Sequence, residues 1–411
     1  MESGYQFEPD IKEGKNFTVQ TYPFCFTSNY HMTVRIGIIH NYYQSTIPSG
    51  ENLTVNQIAN YLKRLGHSVS FYSESSDRYQ NNFKLQIIRT FRLNFPVRNN
   101  EFQNWLKEQD AIQVHNYFPL IGRNELRKLT KINIPITRVI HNYRKTCLSG
   151  NHYRRNDECH LCSMNSFKFG IIKKCYQKSF WKSLLVGTIS RQINRFESSQ
   201  VAHFVAISES VKEYLIRIGI DPLKIILIQN GIKKEKKISK NANEILFVSR
   251  LEPEKGIELT IKTWQANSKL PRLNIVGTGS LYNYVRDSTA KLSNVKFHGP
   301  LNAGEVELVA QKCRTLLAPL SWEEPFGRTL VEALSRGQSI VATKRGIVPF
   351  ILQEGKNGFF CDLSVESIMT AISRTQDLDF ITHSTYSVEK WEKNFSDEVV
   401  LNLWKTLYSD R

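Results

Sequence analysis

The chain predicts an α/β protein built of two doubly wound, parallel-sheet domains. Three observations carry that reading. Short apolar runs alternate with helix-spaced segments, the pattern of strand–helix–strand units whose sheets are covered on both faces. The 411 residues, 41% of them hydrophobic, suffice for two cores. Between two such alternating halves, residues 233–243 are polar and charged without apolar periodicity, as a linker is.

Residues 1–31 show no clear periodicity and read as a disordered extension or an over-called start. The first domain spans 32–232. It opens with the strand Val34–Ile39, followed by a polar loop, His40 to Glu51, that contains Ser49-Gly50. Leu53, Ile58, Leu62 and Leu65 then recur at helical spacing until Gly66 stops the helix, and His67–Tyr72 is the next strand. Asp110–Pro119 and Ile136–Asn142 are further strands, each ending in a histidine, His115 and His141. Ligands bind outside the carboxyl ends of such strands, although a lone histidine is usually structural. Residues 142–180 form an insertion holding Cys147, Cys159, Cys162 and Cys175. This grouping suggests tetrahedral structural zinc; the alternative is four free thiols in a basic loop. Val201–Ser208, a helix Glu209–Ile218 capped by Ser208, and Ile225–Gly231 complete the domain.

The second domain, 244–386, opens with a strand that delivers Arg250, then Lys255-Gly256. Two cations at this spacing can grip a diphosphate from two sides. Leu273–Gly279 is a strand with a glycine turn at Gly277, a weak signal alone. In Ala318–Gly337 a strand end breaks at Trp322–Pro325, and helical spacing begins at Phe326. Free N–H groups of Gly327, Arg328, Thr329 and Leu330 would bind phosphate there. Glu324 and Glu332 flank that point; carboxylates beside an anion site suit hydroxyls on the groups attached to the phosphate. The bland alternative is two solvated helix charges. Ser339–Thr343 and Gly355–Asp362 finish the sheet, and residues 387–411 hold one last helix, Val388–Tyr408.

Glu324-Pro-Phe-Gly-Arg-Thr-Leu-Val-Glu332 resembles the Glu-x7-Glu signature of family-4-type retaining glycosyltransferases. Arg250-x4-Lys255-Gly256 is similar to that family's Arg-x4-Lys-Gly pattern. The resemblance runs over roughly Val34 to Tyr408, including the cysteine-bearing insertion of a family subset. It implies the GT-B fold, two Rossmann-like domains facing across a cleft with the last helix crossing back to the first domain. It also implies transfer of a hexose from a nucleotide diphosphate sugar to an acceptor hydroxyl with retention. In it Arg250 and Lys255 stabilise the leaving diphosphate, so no catalytic divalent metal is expected. Glu324 binds the donor sugar, His115 contacts it from the opposite domain, and Glu332 binds the ribose. Gly50, Gly277 and Gly327 to Leu330 complete the donor contacts. Two departures stand out: Ser49-Gly50 has one glycine where two are usual, and Ile347 and Phe350 replace a Gly and a Glu.

The net charge of +17 calls for an anionic partner. Residues 123–195 hold most of it, with 16 Lys and Arg against three Asp and Glu. There the cations alternate with aromatic and aliphatic residues, which suits an anionic membrane surface and a lipid-linked saccharide acceptor. No nucleic-acid recognition motif is present, so nucleic acid is not expected as a partner. No apolar run nears the roughly 20 residues needed to span a bilayer. With no secretory signal and seven cysteines in a long chain, a cytoplasmic protein, peripheral at the membrane's inner face, is expected. A non-catalytic nucleotide-sugar or polyanion binder of the same fold is the alternative. A GT-B phosphorylase is a third reading.

Overall fold

The computed structural model describes residues 33–43, 49–79, 100–117, 122–155 and 157–409. The expectation for residues 1–31 lies outside them. The first half of the chain runs β1 (Arg35–Tyr42), α1 (Gly50–Arg64), β2 (Ser68–Ser75), α2 (Asn100–Lys107), β3 (Ala111–Val114), α3 (Arg123–Leu129) and β4 (Ile136–Ile140). An excursion follows with β5 (Tyr153–Arg154), β6 (Asp157–Glu158), α4 (Lys168–Ile172) and the long α5 (Phe180–Gln200). Then come β7 (His203–Ala206), α6 (Glu209–Arg217) and β8 (Ile225–Leu227). The strands form a parallel sheet in the order β2-β1-β3-β4-β7-β8. Ile36, Ile38, Ile112, Val114, Val139 and Val205 are fully buried in it, as a sheet covered on both faces requires.

Local chemistry explains the elements. The Ser49 side chain accepts the Asn52 N–H and starts α1, which buries Val55, Ile58, Ala59 and Leu62. Gly66, at φ +87°, turns the chain out of it.

The second half runs β9 (Glu244–Val248), α7 (Ile257–Ala266), β10 (Leu273–Val276), α8 (Tyr282–Thr289), β11 (Val295–Gly299), α9 (Ala303–Ala310) and β12 (Cys313–Ala318). It continues with α10 (Arg328–Arg336), β13 (Ser339–Ala342), α11 (Val348–Ile351), β14 (Gly358–Phe360) and α12 (Val365–Gln376). Its sheet is also parallel, in the order β11-β10-β9-β12-β13-β14. Each sheet therefore reverses its winding once, between β1 and β3 in the first and between β9 and β12 in the second. A crevice opens at the carboxyl ends of the strands at such a point.

One expectation needs correction. The single last helix is two, α13 (Phe380–Phe395) and α14 (Asp397–Ser409), broken at extended Ser396. The break performs the crossing: α13 packs on α10, whereas α14 packs on α1. There the Asp397 carboxylate accepts from Gln57 Nε2 at 2.7 Å and Tyr61 Oη at 2.5 Å.

No metal-holding group of three or more His, Cys, Asp or Glu occurs among the described residues, although the four thiols of the excursion lie near enough for Cys147, Cys175 and Cys159 each to act on Cys162. Cys162 and Cys175 lie at the edge of a small apolar cluster of Leu148, Phe167 and Val186. The Cys162 sulfur accepts the Gly170 N–H, and Cys147 is bonded to Ser149. Burial, with the neighbouring Cys147, Cys175 and Cys159, pushes the Cys162 thiol up to about 11.

Candidate active site

The loop after β9 and the β12–α10 loop meet at the second sheet's reversal. Lys255 Nζ lies 2.5 Å from Glu324 Oε2, with both side chains nearly buried, at 11% and 12% exposure. The ammonium also sits 4.4 Å from the centre of the Trp322 ring, so the pair is held from below by an aromatic face. The other Glu324 oxygen, Oε1, accepts the Gly327 N–H at 3.2 Å. Two glycines make this approach possible. A Cβ on Gly256 would come within 2.0 Å of the Pro319 carbonyl, and one on Gly346 within 2.2 Å of the Glu324 carbonyl. Ile347, at one of the departures from the family pattern, is buried and donates its N–H to that Glu324 carbonyl at 2.9 Å. The departure thus supports the loop that carries Glu324.

The helix begins two residues later than its apolar spacing suggested, at Arg328, with Gly327 left-handed at φ +64°. Of the four N–H groups expected to be free, Gly327's goes to Glu324 and Leu330's returns to the Gly327 carbonyl. Arg328 and Thr329 carry the remaining first-turn donors. Lys255, Glu324, Gly327 and Thr329 line one small pocket over β9 and β12.

Arg250 does not join Lys255. It is about half exposed and reaches Glu254 at 3.5 Å. Gly277, at φ +146°, lies so close to the Ser249 carbonyl that a Cβ would collide with it at 1.9 Å. That contact fixes the Arg250 loop rather than touching the pocket. Glu332 is bonded to Arg328 at 3.0 Å, with Arg336 4.0 Å away. Arg336, which no local pattern singles out, is buried among Glu235, Glu307 and Glu332. Trp322 was likewise missed, because a cation over a ring is a tertiary fact.

Across the cleft, the first sheet's reversal gathers His40, His115 and His141. His115 is only 2% exposed, and both its nitrogens are engaged, Nδ1 with His141 Nε2 and Nε2 with Gln113 Oε1, each at 2.9 Å. Burial, then the neighbouring His141, pushes His115 well below its usual range, and burial does the same to His141. With Gln113 Oε1 accepting, His115 carries its proton on Nε2 and accepts the His141 Nε2–H at Nδ1. His141 is the less buried of the two rings, at 9% exposure, and two residues on, burial, then the charges of Glu323 and Glu324, raises the Tyr143 hydroxyl. Gly50 stands in the first turn of α1 with open space around it.

The two halves touch at the cleft. Ser208 Oγ, the cap of α6, donates to the Pro325 carbonyl at 2.5 Å, and Arg345 pairs with Glu158 of the insertion.

Residues 48–236 match the family described as Glycosyltransferase Family 4, and residues 229–378 match Glycosyl transferases group 1. The chain is 31% identical over 145 residues to an uncharacterized glycosyltransferase of Methanocaldococcus jannaschii, covering 34% of this chain and 40% of that one. It is 28% identical over 209 residues to the gpi3 subunit of phosphatidylinositol N-acetylglucosaminyltransferase of Schizosaccharomyces pombe, covering 47% and 45%. In both cases it matches less than half of the relative's length. The fold is shared with Anabaena HepE, solved with UDP and glucose, at a TM-score of 0.62 and 19% identity over 92% of this chain and 100% of that one. Two parallel-sheet domains of the GT-B fold, with two adjoining family matches that together run from residue 48 to 378, make this chain similar to family-4-type glycosyltransferases.

Proposed function

We propose that this protein transfers a hexose from a nucleoside diphosphate sugar to an acceptor hydroxyl, with retention at the anomeric carbon. The observation that carries the reading is the nearly buried Lys255–Glu324 pair beside the first turn of α10, at the second sheet's reversal. Lys255 and the first-turn N–H groups of Arg328 and Thr329 would meet the diphosphate, and half-exposed Arg250 would swing in over it. As the bond from the anomeric carbon to the phosphate oxygen breaks, these donors take up the charge left on the diphosphate. Glu332 would receive the ribose hydroxyls. Both oxygens of Glu324 are engaged, by Lys255 and by Gly327, so this carboxylate suits hydroxyl recognition better than attack on carbon. That favours displacement on the face the phosphate leaves, with the departing phosphate oxygen taking the acceptor's proton.

The His141 ring, oriented by His115, would contact the sugar from the opposite domain. The structure of HepE with UDP makes uridine the first base to try. The basic first domain, and a relative named for phosphatidylinositol, favour a lipid-linked saccharide acceptor at an anionic membrane surface on the cytoplasmic side.

Release of nucleoside diphosphate from a panel of nucleotide sugars, with a mixed saccharide acceptor, tests the proposal. Transfer should fall on the order of a hundredfold in Lys255→Ala, and the product should keep the donor's anomeric configuration by NMR. Binding of a donor with neither transfer nor hydrolysis would instead make the protein a nucleotide-sugar binder.

A further inference from the structure

The excursion between β4 and β7 presents a surface that the donor site does not use. Leu161, Phe169, Ile172, Phe180, Trp181 and Leu184 are all exposed, Trp181 to 75%. They belong to one compact unit. Gly187 lets α5 approach α4, where a Cβ would lie 3.1 Å from Ile171, and Gly170 lets α4 approach Leu148, where a Cβ would lie 2.9 Å away. Phe167, Ile171 and Val186 turn into the small core between the helices. On α5, Ser183, Val186 and Gly187 are buried while Phe180, Trp181 and Leu184 point out. The exposed residues are thus the outer face of a folded unit, and its own core cannot absorb them.

Charge surrounds this face. Lys168, Lys173, Lys174, Lys178, Lys182, Arg191 and Arg195 are exposed, and the sequence has no Asp or Glu between Glu158 and Glu197. None of the seven has a carboxylate within ion-pair distance among the described residues; Lys182 bonds only to the neutral Gln177 side chain. Lys174 and Lys178 hold left-handed backbone, at φ +53°, in the turn between α4 and α5. An acidic protein surface would find the cations but would leave a bare tryptophan and two phenylalanines in water. A bilayer with anionic headgroups satisfies both: apolar side chains enter the headgroup–acyl boundary while lysines stay in the phosphate layer. Tryptophan in particular favours that depth. No helix among the described residues is long and apolar enough to cross a membrane, so such contact would lie in the interfacial plane.

We infer that the outer face of α4 and α5 docks on an anionic lipid bilayer, with Trp181, Phe180, Phe169 and Ile172 inserted and the surrounding lysines on lipid phosphates. The surface stands apart from the nucleotide-sugar site, so the inference does not depend on what reaction occurs there. Glu158, at the base of the excursion, pairs with Arg345 beside the Glu324 loop.

Vesicle co-sedimentation of the full chain tests it, comparing phosphatidylcholine alone with phosphatidylcholine containing one third phosphatidylglycerol. The wild type should bind the anionic vesicles and release them at high salt. Lys173→Gln/Lys174→Gln should weaken binding about fivefold per lysine. Trp181→Ser/Phe180→Ser should weaken it on the order of tenfold or more at unchanged net charge. Unchanged circular dichroism and melting midpoint show that both variants fold. Failure of the wild type to sediment with anionic vesicles overturns the inference. So does binding that ignores the aromatic pair, which would make the face a general polyanion contact.

Discussion

The two histidines show most clearly how residue type and residue role part company. Both end strands at the same sheet edge, and the sequence offers no local difference between them. Packing separates them: His115 has both nitrogens engaged and almost no exposure, so it orients its neighbour, while His141 is less deeply buried. His141→Ala should therefore lower turnover at least tenfold with little change in melting point. His115→Ala should lower stability by about 2 kcal/mol, because it leaves buried partners unpaired. Steady-state kinetics and melting of the two variants check this; equal kinetic losses without destabilisation would reverse the assignment. Glu324 and Glu332 were legible as a pair because their spacing places them on one strand–loop–helix unit, and Lys255 because it follows Arg250 in the loop after another strand. The Lys255–Trp322 contact and the enclosure of Arg336 were not. Both are made by residues far apart in the chain or by side-chain packing that no period reports.

At the scale of elements, alternating strands and helices, the Ser208 cap and the glycine stops could be read directly. Boundaries set by backbone geometry could not. The start of α10 moved because Gly327 is left-handed, and the last helix divided at Ser396 because the chain must leave one domain's helices for the other's. Glycine substitutions separate tight geometry from mere occurrence. Gly346→Ala should destabilise by about 2–3 kcal/mol, from its left-handed backbone and the collision with Glu324, and should weaken donor binding with it. Gly50→Ala, with open space and helical backbone, should be neutral or stabilising by about 0.5 kcal/mol. Thermal or chemical denaturation of the two variants reads both signs.

Across the whole molecule, the linker adds a titratable contact behind the donor site. Burial, then the neighbouring Glu307, raises Glu235 from 4.5 to about 7, whereas Glu307, despite its own burial, is held below its usual value by Arg336. The folded chain thus holds the Glu235 proton more tightly than the unfolded chain does. That contribution is fully present below pH 4.5 and is lost as pH rises through 7. After allowance for solvent screening it amounts to about 1 kcal/mol. Wild type minus Glu235→Gln stability should therefore decline between pH 5 and pH 8; a flat difference would show that the linker carboxylate titrates normally. The central claim is that the second domain's site takes a nucleoside diphosphate sugar. The most direct measurement is the melting point of wild type, Arg250→Ala and Glu332→Ala against a panel of nucleoside diphosphates and their sugars. A ligand held at 100 times its Kd stabilises the folded chain by about 2.7 kcal/mol. One nucleoside diphosphate, uridine first among those tested, should raise the wild-type melting point by several degrees and leave both variants unmoved. A well-folded wild type that no member of the panel shifts would contradict the account.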